Sequence, residues 1–241
     1  MTVQDDQRER ELCRLFNLDW DATHPRGGTD AHFVIEVDGA RYRVETEVKS
    51  ATSATVSTAR DVGLDHIAKW RQKLWVVGFY RAAPRGPELV DTLCLTPGDM
   101  EPWIAEIEAK IRPDYEIARR ASRLLTLDDL YAICGEKTAY GIEDAKRLHK
   151  SQWSAEQYKA AADMTVGRTK MISPDRMLEI LKLRAQYIAE RGATLNNPHI
   201  TKKFLDTFAT ARLTANQAAA IREIAGRYIR ATPGHPFPLV T

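Results

Sequence analysis

Two runs of alternating apolar residues, joined by Asp38-Gly39, leave this chain little local freedom. Phe33, Ile35 and Val37 alternate with His32, Val34 and Glu36, and Tyr42, Val44, Thr46 and Val48 alternate with Arg43, Glu45, Glu47 and Lys49. That is the period of strands with one buried face. Asp-Gly suits a two-residue type I′ turn, whose central positions both need positive φ. Such a turn also sets the register, because the numbers of facing residues must sum to 77, as those of Asp38 and Gly39 do. Val37 then faces Ala40, Ile35 faces Tyr42, Phe33 faces Val44, and Asp30 faces Glu47.

Facing carboxylates would stand roughly 4.5 to 5.5 Å apart at Cβ, an unfavourable arrangement. Their repulsion is expected to destabilise the metal-free chain by on the order of 1 kcal/mol. Lys49 lies on the face of Glu47, one pleat further along, so two acids and an ammonium converge at the open end of the hairpin. A hard divalent cation, Mg²⁺, is the natural guest of such a cluster, with water and phosphate oxygens at its other positions. The chemistry implied is phosphodiester hydrolysis, with the lysine orienting the attacking water or offsetting charge in the transition state.

Asp30 followed by Glu47-Val48-Lys49 resembles the signature of the PD-(D/E)XK nuclease superfamily, an acid at the start of one strand and acid-x-Lys in the next. The similarity extends through Ser50, through His66-Ile67-Ala68-Lys69-Trp70 and through Trp75 to Tyr80, so it covers roughly residues 28 to 80. Thr29 stands where the motif has proline. The chain looks most like a type II restriction endonuclease. The resemblance implies that Asp30 and Glu47 bind Mg²⁺ and Lys49 assists the water. It also implies duplex DNA as substrate, a homodimer acting on a palindromic site, and a cognate DNA methyltransferase in the same host. A repair or recombination nuclease on the same core is a second reading. A non-catalytic DNA-binding regulator, in which the three residues are surface charges, is a third.

Around the hairpin, Leu12, Leu15 and Phe16 mark an amphipathic helix over residues 7–16, followed by a polar Pro25-Arg26-Gly27-Gly28 loop. Residues 60–73 can form a helix, Leu74 to Tyr80 a buried strand and Leu89 to Leu95 another. The expected fold is α/β, a mixed-sheet nuclease core over residues 1–97, followed by a helical region over 98–241 serving DNA binding, specificity or dimerisation. In that region Ser154 to Gln157 and Thr214 to Gln217 read as capping boxes, and Ser173-Pro174 as a helix start. Gly192 reads as a left-handed helix stop, and the proline-containing tail from Thr232 as irregular.

The balance of 35 Lys and Arg against 33 Asp and Glu excludes a uniformly basic coat. Cys13, Cys94 and Cys134 are too scattered for a zinc pair or a disulfide framework. With no leader pattern and no long apolar run, the expectation is a cytoplasmic protein outside the membrane.

Glu11 and Glu45 are further candidate acids, although Glu11 reads better as an exposed helix charge and Glu45 equally well as a cross-strand partner of His32. His66 reads as structural, and Trp70, Trp75 and Tyr80 as core. Arg60, Lys69, Arg71, Lys73, Lys202 and Lys203 are candidate phosphate contacts, as are Arg119, Arg120 and Arg123; all read equally as solvated charge. The segments either side of Thr210 to Thr214 suggest a helix-turn-helix or a plain helical hairpin.

Overall fold

A hairpin with one apolar face must cover it, and this one does so within a mixed six-stranded sheet. The computed structural model describes residues 3–20, 30–84 and 86–240; the Pro25 to Gly28 loop and Thr29 lie outside them. In chain order come α1 (Val3–Leu15), β1 (Asp19–Trp20), β2 (Ala31–Val37), β3 (Ala40–Ala51), β4 (Thr55–Ser57), α2 (Leu64–Trp70), β5 (Leu74–Arg81) and β6 (Glu88–Leu95). Next are α3 (Pro97–Arg123), α4 (Leu127–Cys134), α5 (Ile142–His149), α6 (Ala155–Ala161), β7 (Met164–Val166), β8 (Thr169–Met171) and α7 (Pro174–Gly192). The chain closes with β9 (His199–Thr201), α8 (Lys202–Phe208), β10 (Ala211–Arg212) and α9 (Gln217–Ala231).

The sheet order is β1-β2-β3-β5-β6-β10. The β2–β3 register has the expected sum, from Ala31 opposite Thr46 to Val37 opposite Ala40, and Asp38 and Gly39 both take positive φ. β3 and β5 run parallel and the other pairs antiparallel, so the sheet is mixed as the sequence implies. Strand β5 is buried at every residue but its last, which is why it reads as an unbroken apolar run. One core joins Leu12 and Phe16 of α1 to Phe33, Val44, Val48 and Val76 of the sheet and to Ile221 and Ile224 of α9. On β3 the alternate residues, Glu47 and Lys49 among them, belong to the opposite face. There Trp75 neighbours Glu47 in the β3–β5 ladder and packs with Trp70 and Trp103 at ring distances of 5.7 and 6.2 Å.

The division of the chain differs from a break at residue 97. One compact unit comprises residues 1–110 with 195–241, and the other residues 111–194. The C-terminal segment returns because it completes the sheet. β10 pairs with Leu93 and Cys94 of β6, and the tail bonds to Arg41 and Arg43 of β3, where β5 no longer runs alongside. β10 also replaces the expected helix-turn-helix or helical hairpin with an edge strand. No capping box forms at Thr214: Leu213 is tied to Thr92 of β6, and the chain enters α9 through Asn216 in the left-handed region.

The second unit packs its helices around Leu130, Tyr140, Tyr158, Ile172, Met177 and Ile180. It contains the β7–β8 hairpin as well as helices. Ser154 caps α6 with Gln157 reaching back, and Ser173 caps α7 ahead of Pro174. α7 stops without a left-handed glycine; Gly192 stays helical, while Ala193 N–H and the Thr194 hydroxyl bond to the final turn. No helix among the described residues is long and apolar enough to cross a membrane.

Gly78 of β5 is the point where α1 comes closest to the sheet. A Cβ there would lie 2.7 and 2.8 Å from the two methyl carbons of Leu12, which is fully buried. Gly78→Ala should therefore cost about 1–3 kcal/mol by overpacking. In urea denaturation Leu12→Ala, destabilising alone, should relieve most of that added cost when combined with Gly78→Ala; simple additivity would show that the two do not compete for this space.

Candidate active site

The ladder between β2 and β3 ends at Ala31 and Thr46, and Asp30 carries it on with its side chain. Its Oδ2 accepts from the Val48 backbone N–H at 3.2 Å and from Lys49 Nζ at 2.8 Å. Lys49 Nζ also lies 2.9 Å from Glu47 Oε1 and donates to the Val48 carbonyl at 3.1 Å. The other oxygen of Glu47 accepts from Lys73 Nζ at 2.5 Å, just ahead of β5. The side chains of Glu47, Lys49 and Lys73 are 8% exposed or less, whereas Asp30 keeps 23%. One edge of the cluster is thus open and the rest is buried.

The three residues expected from the acid-x-Lys pattern are therefore brought together, but their electrostatics differ from bare repulsion. Two ammoniums balance the two carboxylates, and Lys49 stands between the acids. Burial pushes the Glu47 carboxyl up, but Lys49 and then Lys73 pull it down further, to about 2. Burial likewise lowers Lys49, yet Asp30, Glu47 and Glu9 hold it well above its ordinary value. The expectation that the facing acids destabilise the metal-free fold is corrected: Lys49 and Lys73 make the contacts attractive.

Lys73, a candidate phosphate contact, is instead a buried partner of Glu47. Arg71 is also committed, to Glu101 at 2.8 Å and Glu108 at 2.7 Å. Lys202 pairs with Asp206 at 3.0 Å and lies over the Phe79 ring. Arg60, Lys69 and Lys203 are exposed. Arg119, with its guanidinium 3.9 Å from Glu190, Arg120 and Arg123 all belong to the second unit. Glu11 accepts from the Tyr80 hydroxyl at 3.2 Å, and Glu45 stands opposite His32 with Arg43 3.9 Å away. Trp70, Trp75 and Tyr80 are core. Burial, then Lys69, lowers His66, while Glu47 acts on it in the opposite sense.

Sequence reasoning missed two contributors, Lys73 as a partner of Glu47 and Glu9. Glu9 acts on Lys49, and with Asp30 it adds to the burial that pushes the Cys13 thiol up to about 12. A helical signal for it existed. Glu9 precedes buried Leu12 and Cys13 by three and four positions, so it continues their stripe, whereas Glu11 does not. For Lys73 no local signal existed, since its partner is 26 residues away.

Asp30 Oδ2, Glu47 Oε1 and the Val48 carbonyl lie within 3.1 Å of one positively charged point, the Lys49 nitrogen. These are hard oxygen donors, the type Mg²⁺ takes, and a cation already sits among them. Among the described residues no group of three or more His, Cys, Asp and Glu suited to a metal is found, so protein ligation would rest on two carboxylates and a carbonyl. No protein-family model matches the chain, and a search of curated proteins finds no similar sequence.

The ion pairs set a sign for the pH response. Because Glu47 titrates near 2 rather than 4.5, its contribution to stability should be complete above about pH 4.5 and fade as pH falls towards 2. Glu47→Gln leaves Lys73 buried without its counter-charge and should cost about 3–5 kcal/mol at pH 7. Urea denaturation in EDTA at pH 7, with melts down to pH 2, checks both points. A more stable variant would restore the repulsive picture.

Proposed function

We propose that this protein hydrolyses phosphodiester bonds of duplex DNA with Mg²⁺, in the manner of a type II restriction endonuclease. The observation that carries the reading is the convergence of Asp30 Oδ2, Glu47 Oε1 and the Val48 carbonyl on the Lys49 ammonium, at the partly open end of the hairpin. Asp30 and Glu47, with the Val48 carbonyl, would hold the ion. Its chemistry there is polarisation of the scissile phosphate and acidification of water.

The chain's own residues divide the remaining work. Lys49, held protonated, has no lone pair to take a proton from water. Its part is therefore to donate a hydrogen bond that orients the attacking oxygen, or to offset the negative charge that grows on the phosphoryl oxygens. Asp30, the most exposed of the group, faces the side from which a phosphate can approach. Lys73 keeps Glu47 ionised and fixes one of its oxygens, leaving the other for the reacting side. Cutting both strands of a palindromic site would use two copies related by a two-fold axis, and such an enzyme would be accompanied by a methyltransferase that protects host DNA.

The test is digestion of phage DNA with Mg²⁺, followed by sequencing of the ends. Discrete termini are expected. A random smear would point to a repair-type or non-specific nuclease, and no cutting with either Mg²⁺ or Mn²⁺ would leave the cluster a structural ion-pair network. Lys49→Ala should lower the cleavage rate at least ~10³-fold, as for loss of one electrostatic contact at a charged transition state. Gel shifts with Ca²⁺ in place of Mg²⁺ should show duplex binding retained; turnover at the wild-type rate would remove Lys49 from the chemistry.

A further inference from the structure

The short strands β4 and β9 form a two-stranded antiparallel ribbon separate from the main sheet. Its pleat divides the residues cleanly. Val56 and Ile200 pair with each other and are fully buried, while Thr55 opposite Thr201 and Ser57 opposite His199 are exposed. The outer face is thus four polar side chains with hydroxyl or imidazole groups. The ribbon is held firmly beneath. Thr58 bonds to Asn197 Oδ1 and the Pro198 carbonyl, Lys202 N–H to the Ala54 carbonyl, and Trp103 Nε1–H to the His199 carbonyl.

Building on the nuclease reading, we propose that the β4–β9 ribbon enters the major groove of duplex DNA and reads base edges with Thr55, Ser57, His199 and Thr201. A two-stranded ribbon is one of the two elements the major groove admits. Hydroxyl and imidazole groups can donate to or accept from base edges, and a threonine methyl can pack on that of thymine. The charge pattern is complementary to a polyanion. Neither residues 50–60 nor residues 195–205 contain an acid, in a chain that has 33, and they carry Arg60 and Lys203, besides Lys202, which is paired with Asp206. Exposed Arg60 and Lys203 flank the ribbon strands in sequence, as phosphate contacts that position a reading element would. Glu106, the only acid among the described residues lining the groove beside β9, is held by Lys110 at 2.6 Å.

Thr55 is six residues along the chain from Lys49 and Ser57 eight, so their Cα atoms lie at most about 21 and about 28 Å from that of Lys49. With side-chain reach added, at 3.4 Å per base pair that places the cut within about ten base pairs of the bases that β4 reads. Reading and cutting would thus be linked by one short stretch of chain.

The experiment selects duplexes from a randomised pool in Ca²⁺ and sequences the cut ends in Mg²⁺, for wild type, Ser57→Ala/His199→Ala and Thr55→Ala/Thr201→Val. Thermal melts confirm that these exposed changes leave the fold intact. Each ribbon variant should lose about tenfold discrimination at one or two base positions while still binding and cutting duplex DNA. Arg60→Ala and Lys203→Ala should instead weaken binding evenly across sequences and reduce its salt slope by about one each. Unchanged base preference in both ribbon variants, or cutting more than about ten base pairs from the positions they alter, overturns the ribbon's role and leaves the nuclease reading standing. A wild-type protein that binds no duplex overturns both.

Discussion

The ammonium of Lys49, enclosed by two carboxylates and a main-chain carbonyl, is the interaction on which the candidate site depends. Removing a lysine or a glutamate from water costs several kcal/mol even after relaxation, and short contacts to opposite charge must offset that cost. Here Glu47 meets one ammonium with each oxygen, and Lys49 meets both acids. Neither acid can be neutralised without leaving a cation short of a partner. The cluster is therefore ordered before any ligand arrives, with its charges nearly balanced and Asp30 at its open side.

The surrounding architecture follows from holding these groups in place. The type I′ turn sets the β2–β3 register, which carries Asp30 to the end of the ladder beside Val48. Parallel pairing of β3 with β5 brings Lys73, at the approach to β5, to Glu47. Gly78 lets α1 settle on the sheet through Leu12, and α1 delivers the charge of Glu9 towards Lys49. On the cluster's own face the packed rings of Trp70, Trp75 and Trp103 provide an apolar wall. Such a wall keeps the local dielectric low and strengthens each ionic contact.

What was legible in the sequence was local. The Asp38-Gly39 turn, the alternation on both sides of it, the unbroken apolar run of β5 and the Ser154 and Ser173 caps each depend on residues within a few positions of one another. The juxtaposition of Asp30 with Glu47 and Lys49 could be read because a tight turn converts sequence spacing into geometry. Lys73 could not, since its meeting with Glu47 needs a parallel crossover, and no short-range pattern records that. The same reason explains β10 and the tail. Ala211-Arg212 carries too little alternation to announce a strand, and only the free edge of β6 makes it one. Thr214 to Gln217 has the letters of a capping box, but the tether from Leu213 to Thr92 decides the backbone there.

A nuclease centre requires that the oxygens now facing Lys49 accept a divalent ion when DNA is present. Mn²⁺ replaces Mg²⁺ at oxygen sites, and its free aqueous form gives a six-line paramagnetic resonance signal that fades on binding. Titrating Mn²⁺ into wild type, Asp30→Asn and Glu47→Gln with duplex DNA, against DNA alone, measures the uptake due to each protein. Saturable uptake by the wild type, abolished by both substitutions, is the expected result. No uptake by the wild type, or equal uptake by all three proteins, would contradict it.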